Sequence, residues 1–210
     1  GKALAEKAKK LGANFLKARV KRIEQCPTGD WKIFTDCEEQ AAKNIIVAAG
    51  AWSARLLEPL GYNLPLEAER GYHLILQNPG ITVNNSIMDA DAKFVASSMS
   101  AGVRCAGTAE FAGLDALPDY RRSQIFVRLA ERLFPNINTI DTIEWMGSRP
   151  SFPDSLPCLG EVPGKKGLFC AFGHSHYGFG MAPNTGRVVA SIVTGDPVNI
   201  DLKPYQIGRF

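Results

Sequence analysis

Residues 168–195 read "LFCAFGHSHYGFGMAPNTGRVVASIVTG", and this stretch decides which class of fold the chain can adopt. The apolar run at 168–172 predicts a buried strand, and residues 184–194 predict a helix that ends at Gly195. A loop rich in glycine and histidine separates the two. A strand, a glycine-rich loop and a helix in this order are typical of an α/β layer structure.

The loop between this strand and this helix has three chemical interpretations. A zinc site would use His174 and His176, but the only other histidine is His73 and the spacing of the cysteines supplies no further ligand. A phosphate-binding loop would need a lysine or a glycine spacing that the segment lacks. The glycines could instead let the backbone approach a flat redox cofactor, whose electron-rich edge the helix N-terminus would favour. A plain strand–helix turn explains the same residues equally well, so both interpretations stay open.

The rest of the chain predicts two structural parts. Residues 2–11 predict a helix, strands are expected on either side of the "PTGD" turn at 27–30, and the run at 45–49 predicts a strand buried on both faces. Further strands with short turns are expected over 70–111, and residues 119–134 predict an amphipathic helix. The outer segments therefore predict one α/β layer structure, and the middle predicts an antiparallel sheet with its own helix.

Composition and charge argue against several classes of protein. The chain has 210 residues, of which 21% are charged, and its net charge of +3 is too small for a dedicated nucleic-acid-binding protein. No apolar run is long enough to span a bilayer. The five cysteines form no C-x-x-C pair, which predicts free thiols in a reducing compartment.

The helix over 119–134 has one basic side, formed by Arg121, Arg128 and Arg132. Such a side could meet an anionic membrane surface. A solvated helix face is the commoner explanation for so short a pattern.

Four ordered motifs carry a family resemblance: "IIVAAGAWSARLLEPLGYNLPLEAERGYHL", "GTAEFAGLD", "WMGSRPSFPDSLPCLG" and the stretch quoted at the outset, before the closing "IDLKPYQIGRF". Together they resemble the FAD-dependent D-amino-acid oxidoreductases, the group of glycine oxidase, sarcosine oxidase and D-amino-acid dehydrogenase. The resemblance covers nearly the whole chain and is strongest to bacterial D-amino-acid dehydrogenase-like proteins.

This resemblance implies the fold class α/β (α+β), as the C-terminal part of a two-domain oxidoreductase. Residues 1–65 and 146–210 would form part of an FAD-binding domain, and residues 66–145 an antiparallel β substrate domain with one helix. The family's N-terminal G-x-G-x-x-G unit has no counterpart in this sequence. We therefore expect an N-terminal part to be missing from this chain.

The resemblance also implies a flavoenzyme that oxidises a D-amino acid to a 2-oxo acid and ammonia by hydride transfer to flavin N5. Some members of the family attach the flavin to a cysteine. Here Ser151 and Phe152 follow the Arg-Pro pair and Cys158 lies further on, so FAD is expected to be non-covalent. The expected partners are a small amino-acid substrate and an electron acceptor, either oxygen or a quinone of the respiratory chain, but no nucleic acid. The expected location is cytoplasmic, with peripheral contact to the inner membrane left open. The alternatives are an oxygen-dependent glycine or sarcosine oxidase and a truncated chain without cofactor or activity.

Roles in the site follow from the same resemblance. Arg149 matches the arginine that grips the substrate carboxylate, and His176, Tyr72 and Glu110 match residues that line the substrate pocket. The residues expected to contact FAD are Val20, Ala49, Gly50, Trp52, Gly173, His174, Tyr177, Gly178, Phe179, Gly180 and Met181. Backbone N–H groups over 178–181, with a helix beginning near Asn184, would stabilise negative charge on the reduced flavin. No side chain is assigned as an acid or base, and no metal ligand is assigned.

Overall fold

The computed structural model describes residues 1–210 and begins with helix α1 (Lys2–Lys10), as the sequence predicts. Strands β1 (Val20–Gln25), β2 (Trp31–Thr35) and β3 (Glu39–Ala42) then form an antiparallel three-stranded sheet. The first two are the strands expected on either side of the "PTGD" turn. The third, β3, is an addition, because its short sequence "EQAA" carries no strand pattern.

A second three-stranded sheet contains the apolar run at 168–172. Its strands are β4 (Ile45–Val47), β10 (Cys158–Glu161) and β11 (Leu168–Phe172), and β11 pairs in parallel with β4 and antiparallel with β10. Strand β4 was expected to be buried on both faces, but Ile46 is 46% exposed while Val47 is buried. The difference arises because the apolar core of this part lies on the Val47 side only.

The third sheet has five strands in the order β6-β7-β8-β5-β9, all antiparallel. Their bounds are β5 Glu67–Leu76, β6 Ile87–Asp89, β7 Phe94–Met99, β8 Gly102–Phe111 and β9 Thr142–Ser151. Helix α3 (Arg121–Leu133) covers one face, where Phe126 and Ala130 pack against Leu74 and Leu76. The structure thus confirms the predicted mixture of α/β and antiparallel parts. Strand β9 runs past residue 145, so the expected domain boundary falls inside a strand.

The face of the five-stranded sheet turned away from α3 is called the open face here. Since side chains alternate along a strand, it carries the odd-numbered residues of β5 and β9 and, from β8, Arg104 and Ala106. A bulge changes the alternation of β8, because His73 pairs with Ala106 while Tyr72 pairs with Thr108. Gly107 is the bulge residue and has no partner on β5. After Gly107 the even-numbered residues of β8 face α3.

Helices α2 (Ser53–Leu57) and α4 (Gly178–Thr194) complete the α/β part, and α4 packs on β10 and β11. The sequence predicted the last helix from residue 184, but α4 begins six residues earlier and contains Pro183. Pro183 lacks the N–H that would bond to the carbonyl of Phe179, yet the glycine-rich segment before it forms the first turn of the helix. No helix of the chain combines the length and the hydropathy needed to cross a membrane.

Candidate active site

The guanidinium of Arg149 lies flat on the open face. A Cβ atom at Gly71, on the neighbouring strand, would overlap Cζ and both terminal nitrogens of Arg149. Gly71 on β5 pairs with Gly147 on β9, and Gly147 lies two residues before Arg149. The side chain of Arg149 is 29% exposed, so its planar donor set remains accessible. A guanidinium held in this way can donate two parallel hydrogen bonds to a carboxylate.

One carboxylate, Glu69, connects the groups around Arg149. Its Oε1 atom lies 3.3 Å from Nη1 of Arg149 and 2.8 Å from Nε2 of His176, and its Oε2 atom accepts a hydrogen bond from Ser151 Oγ at 2.9 Å. The structure therefore brings together Arg149 and His176, which the sequence predicted as substrate-binding residues. Sequence reasoning missed Glu69 and Ser151. Strand alternation over 67–76 places Glu69 on the same face as Gly71, but only the pairing of β5 with β9 brings it beside Arg149.

The two histidines of the loop point to different partners. Nε2 of His174 lies 2.9 Å from Oγ1 of Thr185 on α4, whereas His176 contacts Glu69. Burial lowers the pKa of His174 and favours its neutral form. No group of three or more His, Cys, Asp or Glu side chains is placed to hold a metal ion.

Tyr72 and Glu110 also meet each other, but on the side of the sheet that faces α3. The Tyr72 hydroxyl donates to Glu110 Oε2 at 2.6 Å, and the Glu110 carboxylate pairs with Arg70 at 3.3 Å and with Arg122 at 2.9 Å. The hydrogen bond from Tyr72 and the two guanidinium groups hold the pKa of Glu110 below its usual range. The structure does not bring these two side chains to the open face that carries Arg149.

Flat rings continue the open face beside Arg149. A Cβ atom at Gly147 would overlap the indole of Trp145, so that indole lies over bare backbone. His73 stacks on Trp145 with the ring centroids 4.9 Å apart and the planes 22° apart. Burial, and then the charge of Arg104, lower the pKa of His73. The guanidinium, indole and imidazole therefore form a continuous flat floor along two strands.

Three of the residues expected to contact FAD line one groove although they are far apart in sequence. Val20 on β1 and Ala49 and Trp52 after β4 border a cavity of about 850 Å³, together with Arg19, Lys21 and Leu56. The 3-10 turn Gly50–Trp52 also contacts β9, the strand that carries Arg149. Gly50 has φ +56°, a left-handed conformation that favours glycine, and a Cβ there would meet no protein atom within 4 Å.

The expected cofactor loop, Gly173–Met181, spans a 3-10 turn and the start of α4. No side chain caps α4, so its first N–H groups have neither an intrahelical partner nor a side-chain acceptor. Tyr177 and Phe179 are exposed, and no protein atom lies near a Cβ placed at Gly180. Gly173 differs from the other glycines, because a Cβ there would overlap the ring of Phe152.

These features fit a flavin cofactor. An uncapped helix start offers N–H groups and positive dipole charge to an electron-rich ring edge. The groove beside Val20 combines apolar side chains with Arg19 and Lys21, which suits an anionic dinucleotide. At Gly50 the backbone has no side chain, so a flat ring could approach it closely.

The comparison with known families agrees with this geometry. The model of the family described as "DAO: FAD dependent oxidoreductase" matches residues 2–192. The chain belongs to this FAD-dependent oxidoreductase family. The resemblance predicted from the four motifs is thereby confirmed, and with it the dependence of the family on FAD.

Relatives within the DAO family act on amino acids, as their names state. The chain is 38% identical to a D-amino-acid oxidase of Bradyrhizobium diazoefficiens over 99% of its own length and 50% of that protein. It is 38% identical to a D-amino acid dehydrogenase of Paramagnetospirillum magneticum over 80% of its length and 40% of that protein. The chain thus spans about half the length of the curated relatives it matches.

A solved DAO-family structure shows the same fold. Glycine oxidase from Geobacillus kaustophilus superposes with a TM-score of 0.86 at 26% identity, over 100% of this chain and 57% of that one. The three-sheet arrangement described above is therefore that of a DAO-family flavoprotein.

Proposed function

We propose that the complete protein oxidises D-amino acids to 2-oxo acids and ammonia by means of non-covalently bound FAD. The observation that carries the proposal is the Arg149 guanidinium laid flat over Gly71 on the open face of the sheet. The names of the D-amino-acid oxidase and dehydrogenase relatives support it. The proposed location is cytoplasmic.

Arg149 is the proposed carboxylate-binding residue. Its terminal nitrogens would hold the substrate carboxylate while Glu69 fixes the guanidinium from the side. His176 borders the same position through its contact with Glu69, and the cavity next to them, about 440 Å³, is lined by Glu69, Ser151 and Tyr177 among others. Tyr72 and Glu110 are proposed to support the sheet from the α3 side.

The proposed FAD contacts are the groove at Val20, Ala49 and Trp52, the turn at Gly50, and the loop from Gly173 to Met181. Held by these residues, FAD would supply the hydride acceptor for the oxidation of the substrate. The N–H groups at the start of α4 would stabilise negative charge on the ring, and the apolar side chains of this region would exclude water. Cys158, on β10, is fully buried in the core cluster that also contains Cys170 and Phe172, which supports non-covalent binding.

The proposal is tested by an amino-acid panel on the purified complete protein with an artificial electron acceptor. We expect flavin absorbance in the protein as isolated and reduction of the acceptor by D-amino acids but not by their L-enantiomers. Bleaching of the flavin band by a D-amino acid without oxygen measures the same step directly. A protein that lacks flavin, or one that turns over only L-amino acids, would contradict the proposal.

An oxygen-dependent glycine or sarcosine oxidase is the second candidate, because glycine oxidase shares the fold at a TM-score of 0.86. The same panel separates the two functions. Turnover restricted to glycine and sarcosine, with stoichiometric oxygen consumption, would favour the second candidate. Turnover of larger D-amino acids that proceeds with a quinone and not with oxygen would favour a dehydrogenase, and sedimentation with membranes would then test peripheral contact.

Replacing Gly71 with alanine should weaken substrate binding without unfolding the protein. The new methyl group would occupy the position of the Arg149 guanidinium, and the end of a flexible side chain can move away at small cost. We expect kcat/KM for a D-amino acid to fall about tenfold or more, a loss of about 1.4 kcal/mol or more, with Tm nearly unchanged. The matched control is Gly186→Ala, on the exposed side of α4, where a Cβ meets no atom within 4 Å. Equal kinetics for the two variants would reject the role assigned to Gly71.

A further inference from the structure

A second arginine shares the open face with Arg149. Arg104 stands on β8 and pairs with Ile75 of β5, on the same face as Gly71 and His73. Its side chain is half-buried. It forms neither an ion pair nor a side-chain hydrogen bond with any residue of the chain, whereas Arg149 has Glu69.

The two arginines stand on either side of β5 on the open face, Arg104 on β8 and Arg149 on β9. Burial and then the charge of Arg149 lower the pKa of Arg104, in keeping with two like charges on one face. The side chains between them are those of His73 and Trp145, neither of which carries a negative charge. Gly71, under the Arg149 guanidinium, and Ile75, beside Arg104, are four residues or about 13 Å apart on β5. An arginine side chain is long and ends in several donors, so Arg104 could reach across part of this gap and a small molecule with two carboxylates could bridge the rest.

A half-buried cation without an acidic partner is unfavourable once a ligand excludes water from the face. An amino acid with a neutral side chain would satisfy Arg149 and leave Arg104 without an anion. An amino acid with a side-chain carboxylate would satisfy both, and the repulsion between the two arginines would turn into attraction for the shared ligand.

We propose that Arg104 is a specificity-determining residue that binds the side-chain carboxylate of an acidic D-amino acid, D-aspartate or D-glutamate, while Arg149 binds the α-carboxylate. This inference rests on the proposed function and specifies its substrate class. Recognition of the second carboxylate would distinguish acids from amides of the same shape, because a site built for a charged group discriminates strongly against its neutral analogue.

The test compares each acid with its amide on the complete flavoprotein. The substrates are D-aspartate against D-asparagine and D-glutamate against D-glutamine, and the variant is Arg104→Gln. We expect the protein to prefer at least one acid over its amide by about tenfold or more in kcat/KM. In Arg104→Gln this ratio should fall to near one while kcat/KM for the amide changes little. The matched control is Arg128→Gln, an exposed and unpaired arginine on α3, which should keep the preference.

Equilibrium binding of inert anions provides a readout that is independent of turnover. Succinate and glutarate, measured by calorimetry, should bind more tightly than propionate and butyrate, and Arg104→Gln should remove the difference. Oxidation of D-amino acids without an acid preference, or an acid preference that survives in Arg104→Gln, would overturn the proposal. An equal loss for acids and amides would also overturn it, because Arg104 would then hold the α-carboxylate. If no D-amino acid is oxidised, the proposed function fails by itself, and the succinate and glutarate measurements still decide the role of Arg104.

Discussion

Replacing Arg149 with leucine is expected to lower kcat/KM for a D-amino acid by about 30- to 1000-fold. Loss of one partner from a desolvated, hydrogen-bonded charge pair costs about 2–4 kcal/mol, and each 1.4 kcal/mol corresponds to a factor of ten. The effect should appear mainly as a higher KM, because the guanidinium contacts a carboxylate that does not change during the reaction. Steady-state kinetics on the complete protein measures it.

The variant Arg149→Lys separates charge from geometry. Lysine retains the positive charge but not the planar pair of donors, so we expect it to recover only part of the activity. Glu69 keeps His176 and Ser151 as partners in both variants, so the fold and the flavin absorbance should be retained. Unchanged KM in Arg149→Leu, with flavin bound, would contradict the role of Arg149 in substrate binding.

The largest expected effect on stability comes from Glu110→Gln. Arg70 is 1% exposed, and Glu110 is the carboxylate that pairs with it. Glutamine keeps the shape and the hydrogen bond from Tyr72 but leaves the Arg70 charge buried without a counter-ion. Removing one partner of a buried pair costs about 3–5 kcal/mol, so the free energy of unfolding in urea should fall by about that amount.

The matched control is Asp115→Asn, which removes an acid from the exposed ion pair with Arg55. Exposed pairs contribute little, so this variant should unfold at nearly the same urea concentration as the parent protein. Equal, small changes for the two variants would show that the Arg70–Glu110 pair does not stabilise the fold.

The pH dependence of the Glu110 effect has a definite sign. The pKa of Glu110 is lowered in the folded state, so its contribution to stability is present above the unfolded pKa and is lost as the pH falls through the folded pKa. The stability difference between the parent and Glu110→Gln should therefore be largest near neutral pH and should shrink in acid. Urea unfolding at a series of pH values measures this difference.

Sequence reasoning located elements well where periodicity and turn residues agreed. Helices α1 and α3 lie within about two residues of their predicted bounds, and β1 and β2 lie on either side of the "PTGD" turn as expected. It placed the start of α4 too late: the first six residues of the helix include Gly178, Gly180 and Pro183, and both residue types have low helix propensity.

The substrate pocket was harder to predict because a strand gives only a period of two. The single extra residue Gly107 moves Glu110 to the α3 side. The alternation of side chains along a strand does not predict where such a bulge occurs. Glu69 was missed for a different reason: its importance depends on the register between β5 and β9, which the local sequence does not encode. The family resemblance also nominated Val20, Ala49 and Trp52 as FAD contacts; they line one groove in the structure, and their contact with FAD stays a prediction.

The paired glycines Gly71 and Gly147 are positions at which a substitution would move a neighbouring side chain. Each glycine lies directly beneath the side chain of another residue. Gly71 lies beneath Arg149 of the neighbouring strand, and Gly147 lies beneath Trp145 of its own strand. A methyl group at either position would tilt a functional side chain without changing its identity. We therefore expect substitutions at these two backbone positions to reshape the open face of this protein indirectly.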